Sequence, residues 1–194
     1  MSEDLRQAVW AAYSDAAENP RSAHPFPLGR GFAQDVGYTA DLPGGIPESS
    51  LDAFTGVSNV SVFAELKAGD SVLDLGCGAG LDSLVASRRT GDAGKVCGVD
   101  FSRSMLDRAQ AAARTVNARN IVFVLADAER LPLPAGSIDV ALVNGIFNLN
   151  PARAAIFGEL ARILRPGGAV FGAELVLRAP VPDAPRPDRA NWFA

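Results

Sequence analysis

Val72-Leu73-Asp74-Leu75-Gly76-Cys77-Gly78-Ala79-Gly80 is the stretch that decides how this chain folds. A short apolar run, 72–75, is stopped by glycines, and Leu81, Leu84, Val85 and Arg88 follow at helical spacing. A glycine turn between a strand and a helix lets the backbone turn tightly. It also lets a ligand approach without meeting a Cβ atom. A dinucleotide fingerprint would read G-x-G-x-x-G. Here the third glycine, Gly80, comes one residue early and an acidic residue opens the motif, which disfavours a nicotinamide dehydrogenase.

The same strand-and-helix texture continues outward. Val96-Cys97-Gly98-Val99-Asp100 is a second buried-strand run. Ser102 is placed to cap a helix carrying Met105, Leu106, Ala109, Ala112, Ala113 and Val116 on one face. Residues 121–125 and 138–143 are third and fourth strands. Asn150-Pro151 offers an N-cap with proline in the first helical position, and that helix is expected to bury Ile156, Phe157, Leu160, Ile163 and Leu164. It is expected to end at Arg165-Pro166-Gly167-Gly168, with a fifth strand over 169–177. Continuous apolar strands alternating with helices belong to a parallel sheet covered on both faces. Right-handed crossovers then give an α/β, doubly wound sheet with its ligand at the carboxyl ends of the strands.

The first 57 residues have a different texture. Residues 3–18 show helical spacing in Leu5, Ala8, Val9, Ala12 and Ala16, and Asn19-Pro20 stops the run. Residues 20–50 are rich in proline and glycine without a clear period, and an arm of that length suggests a lid or wrap. Phe26, Phe32 and Tyr38 within it are expected, with the first helix, to cover the mouth of the site. Short helices follow at about 51–56 and 59–67. The expected organisation is an N-terminal helix and arm over 1–57, a binding domain over 58–178 and an extended proline-rich tail over 179–194.

Composition narrows the function. The 194 residues are 48% hydrophobic, as a globular chain is, and no run reaches membrane-span length. A net charge of −4 argues against a nucleic-acid partner. Cys77 and Cys97 lie in apolar contexts and fit a reduced, cytoplasmic protein. The single histidine, His24, falls in a proline-rich loop, which leaves neither a multi-histidine metal site nor a Ser/His triad.

Three acids stand at successive strand ends: Asp74 opens the glycine motif, Asp100 closes the second strand and Asp127 follows the third. A carboxylate where Asp100 stands can accept both hydroxyls of a ribose. With Gly98-Val99-Asp100-Phe101-Ser102, Ala126-Asp127-Ala128-Glu129-Arg130-Leu131-Pro132 and Leu164-Arg165-Pro166-Gly167-Gly168, the chain resembles class I S-adenosylmethionine-dependent methyltransferases from about residue 58 to 177. The resemblance implies a Rossmann-like sheet of order 3-2-1-4-5 and S-adenosylmethionine as cofactor, with S-adenosylhomocysteine as product. It implies that Asp74, Gly76, Cys77, Gly78 and Gly80 surround the methionyl part, and that Asp100 holds the ribose. Phe101, Ser102 and Met105 would lie toward the adenine, Asp127 and the Ala128 amide would read its edge, and Asn144 would approach the methionyl group.

Within that superfamily the chain is most similar to arsenite methyltransferases, through Gly37-Tyr38, Gly44-Gly45-Ile46-Pro47-Glu48, the segment 76–83 and Val143-Asn144-Gly145-Ile146-Phe147-Asn148-Leu149-Asn150-Pro151. It departs from them in its thiols. Val57 and Gly145 stand where that family carries cysteines, and a further family cysteine lies downstream of a tryptophan like Trp192. Arsenite is thiophilic, so weak or no arsenite methylation is expected, with a small, soft or organic acceptor as substrate. No catalytic base stands out; Glu174, Tyr13, Tyr38 and Asn148 are the polar groups that could face an acceptor. The alternative is a cofactor-binding protein, or a shortened methyltransferase domain, without transferase activity. No strands six and seven follow the fifth in this sequence, so its edge is expected to be covered by a second copy of the chain or by the N-terminal arm.

Overall fold

The computed structural model describes residues 3–39 and 45–176. β1 (Ser71–Leu75), β2 (Lys95–Asp100), β3 (Ile121–Leu125), β4 (Ile138–Asn144) and β5 (Leu164–Ala173) form one parallel sheet in the order β3-β2-β1-β4-β5. α5 (Leu81–Thr90), α6 (Arg103–Thr115) and α7 (Arg153–Ile163) are the crossovers, and α1 (Glu3–Glu18), α2 (Arg30–Asp35), α3 (Glu48–Leu51) and α4 (Val60–Phe63) precede the sheet. The reversal of strand order between β1 and β4 opens a crevice at their carboxyl ends, where such sheets bind ligands.

Strand side chains alternate between the two faces. Leu73, Leu75, Cys97, Val99, Ala141 and Val143 pack with Ile156, Leu160 and Ile163 of α7. Val72, Val96, Val140 and Leu142 face the other way, against Val60, Ala64 and Ala86 of the α4–α5 side. Both faces are therefore closed, which explains the unbroken apolar runs in β1, β2 and β4.

α6 carries the apolar face expected of it: Met105, Leu106, Ala109, Ala112 and Ala113 are buried, and the Ser102 hydroxyl caps it by accepting from the Met105 N–H at 3.4 Å. α1 lies along α6. Its Ser14 hydroxyl meets that of Ser102 at 3.0 Å, Ser104 donates to Glu18 at 2.7 Å, and the Arg108 guanidinium binds the Ala17 carbonyl.

Several boundaries differ from expectation. The fifth strand begins at Leu164 rather than 169 and ends at Ala173. Ile138 pairs with Leu164 but Val140 with Ala169, so Arg165-Pro166-Gly167-Gly168 loops out between paired positions. Those residues read as a helix stop, and the chain uses them as an irregularity within a strand. The expected helices 51–56 and 59–67 are single turns at Glu48–Leu51 and Val60–Phe63. Asn150 does not cap α7, whose N-cap is Ala152. The Asn150 side chain instead accepts from the Ala152 N–H at 2.8 Å, one step ahead of the helix. Phe157 is 53% exposed and stacks on Phe147, with ring centroids 4.7 Å apart. The tail expected over 179–194 lies outside the described residues.

Leu142, on a central strand and fully buried, tests the sheet core. Leu142→Ala is expected to lower unfolding stability by about 2–5 kcal/mol, read from urea denaturation. A loss within error of zero would contradict this packing.

Candidate active site

β1, β2, β3 and β4 end around one open cavity of about 870 Å³, counted out to its mouth. Gly76 and Gly78 form its floor, Asp100 and Phe101 one side, Ala126, Asp127 and Ala128 the next, and Asn144 the side toward β4. Two glycines are required by geometry. Gly76 has φ +74, and a Cβ there would stand 2.3 Å from Ile146 Cγ2. Gly80, at φ +81, turns the chain into α5, and a Cβ there would stand 2.9 Å from the Cβ of Ala109. The first keeps the turn open toward the cavity, and the second lets α5 pack on α6.

Asp100 is 7% exposed. One of its oxygens accepts from the Gly78 N–H and the other from the Ser102 N–H, both at 2.8 Å. Burial pushes its carboxyl up, and these amide donors pull against that. Asp127 sits at the rim, half exposed, 3.3 Å from Arg6 of α1. The same guanidinium reaches Glu129 at 2.9 Å, and Glu129 accepts from Asn150 at 2.9 Å. Arg6 thus joins α1 to the loop after β3, and Glu129 joins that loop to the one after β4.

The remaining residues expected at the site stand behind this wall. Asp74, 1% exposed, accepts from the Ser83 hydroxyl at 2.6 Å and lines no described cavity. Burial, then the neighbouring Asp82, holds its carboxyl well above the usual range. Ser102 and Met105 support the second turn from α6, and Cys77 lines a smaller adjoining cavity. From residues 1–57, the larger cavity receives Arg6, Val9 and Tyr13 of α1, and Thr55. Phe26, Phe32 and Tyr38 of the arm pack elsewhere. Phe26 stacks on Tyr13 at 4.8 Å, while Phe32 and Tyr38 join Phe54, Leu51, Leu81 and Val85 against α5.

Reading from sequence did not assign Arg6, Val9, Thr55, Ile146, Leu149, Asn150 and Ile156 to this cavity. Only the helical period of 3–18 hinted at α1, and that period does not say which wall a helix covers. Glu174, just past β5, accepts from the Phe147 and Asn148 amides at 2.7 and 3.2 Å and so fixes the loop bearing Ile146 and Leu149. The Tyr13 phenol is pushed well up by burial, then by Asp100 and Glu174, so it is a donor at neutral pH. Among the described residues, no group of three or more His, Cys, Asp or Glu is placed to hold a metal ion, and no helix is long and apolar enough to cross a membrane.

A glycine turn after β1, a buried acid at the end of β2 and a second acid after β3 thus line one cavity. Residues 72–168, half of the chain, match the methyltransferase domain family. The chain belongs to that family. This class I methyltransferase domain stands close to arsenite methyltransferases, and the methyl donor of its family is S-adenosylmethionine. It is 35% identical over 151 residues to an arsenite methyltransferase of Halobacterium salinarum, covering 78% of this chain and 38% of the relative. It is 38% identical over 106 residues to a demethylmenaquinone methyltransferase of Lactococcus lactis, covering 55% of this chain and 42% of the relative. The solved structure of an arsenic(III) S-adenosylmethionine methyltransferase from Chlamydomonas reinhardtii superposes with a TM-score of 0.61 at 31% identity, over 66% of this chain and 45% of that one. The matches therefore span less than half the length of these relatives.

The two thiols give a check on this packing. Both are buried and unpaired. Burial pushes Cys97 up to about 11, and burial followed by the nearby Asp100 raises Cys77 well above its ordinary value. The thiolate is the reactive form, so neither is expected to react with a disulfide reagent at pH 8 until urea unfolds the protein. Rapid labelling of the folded methyltransferase domain would contradict the placement of the glycine turn.

Proposed function

We propose that this chain binds S-adenosylmethionine in the larger cavity and transfers its methyl group to a small acceptor entering beside α1. The observation that carries the reading is the convergence of four strand ends on one cavity, with the Asp100 carboxylate buried at its side and Asp127 at its rim. The residues fit the cofactor. Gly76 leaves backbone open where a side chain would collide with Ile146. Asp100 presents an acceptor pair for ribose hydroxyls. Phe101, Asp127 and the Ala128 amide lie where an adenine would extend. Asn144 and the glycine turn flank the amino-acid end.

When bound, the cofactor supplies an electrophilic methyl group on sulfur, so the protein's part is alignment and drying. Val9, Ile146, Leu149 and Ile156 give the cavity apolar walls, and α1 covers it from above. The titratable side chains lining it are Arg6, Tyr13, Asp100 and Asp127. Asp100 and Asp127 are assigned to the cofactor, and Tyr13 holds its proton. The reading is therefore an acceptor that needs no strong base: a soft atom or an already activated carbon.

Arsenite itself fits poorly. A Cβ on Gly145 would lie 3.3 Å from Val57 Cγ1, so the two positions where thiols would be needed adjoin, and neither bears one.

Asp100→Ala is expected to weaken S-adenosylhomocysteine binding by about 1.5–3 kcal/mol, the worth of hydrogen bonds to a charged group, read by calorimetry. Unchanged affinity would remove the ribose assignment. Incubation with arsenite and S-adenosylmethionine is expected to give no methylated arsenic above background, and sustained turnover would overturn the reading of positions 57 and 145.

A further inference from the structure

Beside the main cavity lies a smaller one of about 350 Å³, and the two share Thr55, Gly76, Gly78 and Asn144. One carboxylate lines it: Asp82, in the first turn of α5 and 5% exposed. Asp82 receives three donations, all from uncharged groups. The Tyr38 hydroxyl and the Ser61 N–H, the latter at 2.9 Å, reach one oxygen, and the Asn144 side-chain amide reaches the other at 2.9 Å. The orientation of Asn144 is fixed by its neighbours, because its own oxygen accepts from the Val57 and Ser58 N–H groups at 2.8 and 3.2 Å. Its NH₂ must therefore face Asp82.

Buried carboxylates are ordinarily matched by a cation. The ion pairs of the described residues run elsewhere: Arg6 to Asp127 and Glu129, Arg30 to Glu48, Arg162 to Glu159, Arg165 to Asp139, and the His24 ring to Asp15. The nearest other acids, Asp74 and Asp100, offer it no cation either. The Asp82 carboxylate at the wall of the smaller cavity is held in place by three elements: the arm through Tyr38, α4 through Ser61, and β4 through Asn144.

We infer that Asp82 is the counter-ion for the ammonium group at the amino-acid end of the cofactor, and that the smaller cavity is where this group sits. The assignment rests on the S-adenosylmethionine reading above. It makes the amine a determinant of affinity. It also gives Tyr38 and Asn144 the task of positioning Asp82. Asp74, which opens the sequence motif, is turned into the core and leaves this task to Asp82.

Calorimetry with three nucleosides tests it: S-adenosylhomocysteine, its deaminated analogue that keeps the carboxylate, and 5′-methylthioadenosine, which lacks the amino-acid end. Wild type is expected to bind S-adenosylhomocysteine at least about tenfold more tightly than the deaminated analogue, the low end for a charge-assisted hydrogen bond. Asp82→Asn should remove that preference while binding methylthioadenosine as wild type does. Tyr38→Phe, which keeps the carboxylate but removes one of its three donors, should reduce the preference without abolishing it. Equal wild-type affinity for the amine-bearing and deaminated compounds overturns the assignment, whether or not Asp82→Asn folds. So does an Asp82→Asn protein that loses methylthioadenosine as strongly as S-adenosylhomocysteine. If wild type binds none of the three, the cofactor reading itself fails, and this assignment with it.

Discussion

The Asp100 carboxylate ties together the two turns on which the site is built. It stands at the end of β2, buried, and receives an N–H from Gly78 in the turn after β1 and another from Ser102 in the turn after β2. Each turn leads into a helix, so one side chain sets where α5 and α6 begin. Ser102 then caps α6 with its hydroxyl and meets Ser14 of α1. The position of the covering helix is thereby referred back to the same carboxylate. In the proposed function that group also holds the ribose, so fold and ligand recognition share an anchor and would be perturbed together.

Around this anchor the cavity divides by chemistry. The nucleoside side is apolar and partly open, with acids at the rim held by Arg6. The part beside Asp82, where the amino-acid end is proposed to sit, is smaller, with donors arranged around that carboxylate. A cofactor with a neutral aromatic end and a zwitterionic end matches that division. The coupling of the second region to the arm through Tyr38 gives residues 30–39 a reason to be packed against α5 rather than over the mouth. The drying of the cavity falls to α1 instead, through Val9 and Tyr13.

The doubly wound sheet and its helices were legible because their signals are local: apolar runs of strand length, glycine stops and a 3.6-residue period. The strand order came from the resemblance to class I methyltransferases. The errors came where local signals have two meanings. Pro166-Gly167-Gly168 terminates a helix in most contexts, yet here it bulges from an edge strand whose hydrogen bonds a proline does not interrupt. Phe157 has core spacing but finds its partner in Phe147 on the surface. That Asp100 and Asp127 line the crevice was legible because they stand at strand ends, and a strand end lies at the crevice. That Arg6, Asp82 and Ile146 line the cavities was not, because this depends on which element lies across from them. Asp74 and Asp82 show the difference most clearly: eight residues apart, both acidic and both buried, and only the structure shows which one lines a cavity.

The central claim is that the ends of β1, β2 and β3 bind a nucleoside through Asp100 beneath α1. A crystal structure of the protein with saturating S-adenosylhomocysteine tests it most directly. The account predicts both ribose hydroxyls within hydrogen-bonding distance of the Asp100 carboxylate, the adenine between Phe101 and residues 127–128, and the sulfur between Gly76 and Asn144. Nucleoside density elsewhere on the molecule, or a cavity left empty at saturating ligand, would contradict it.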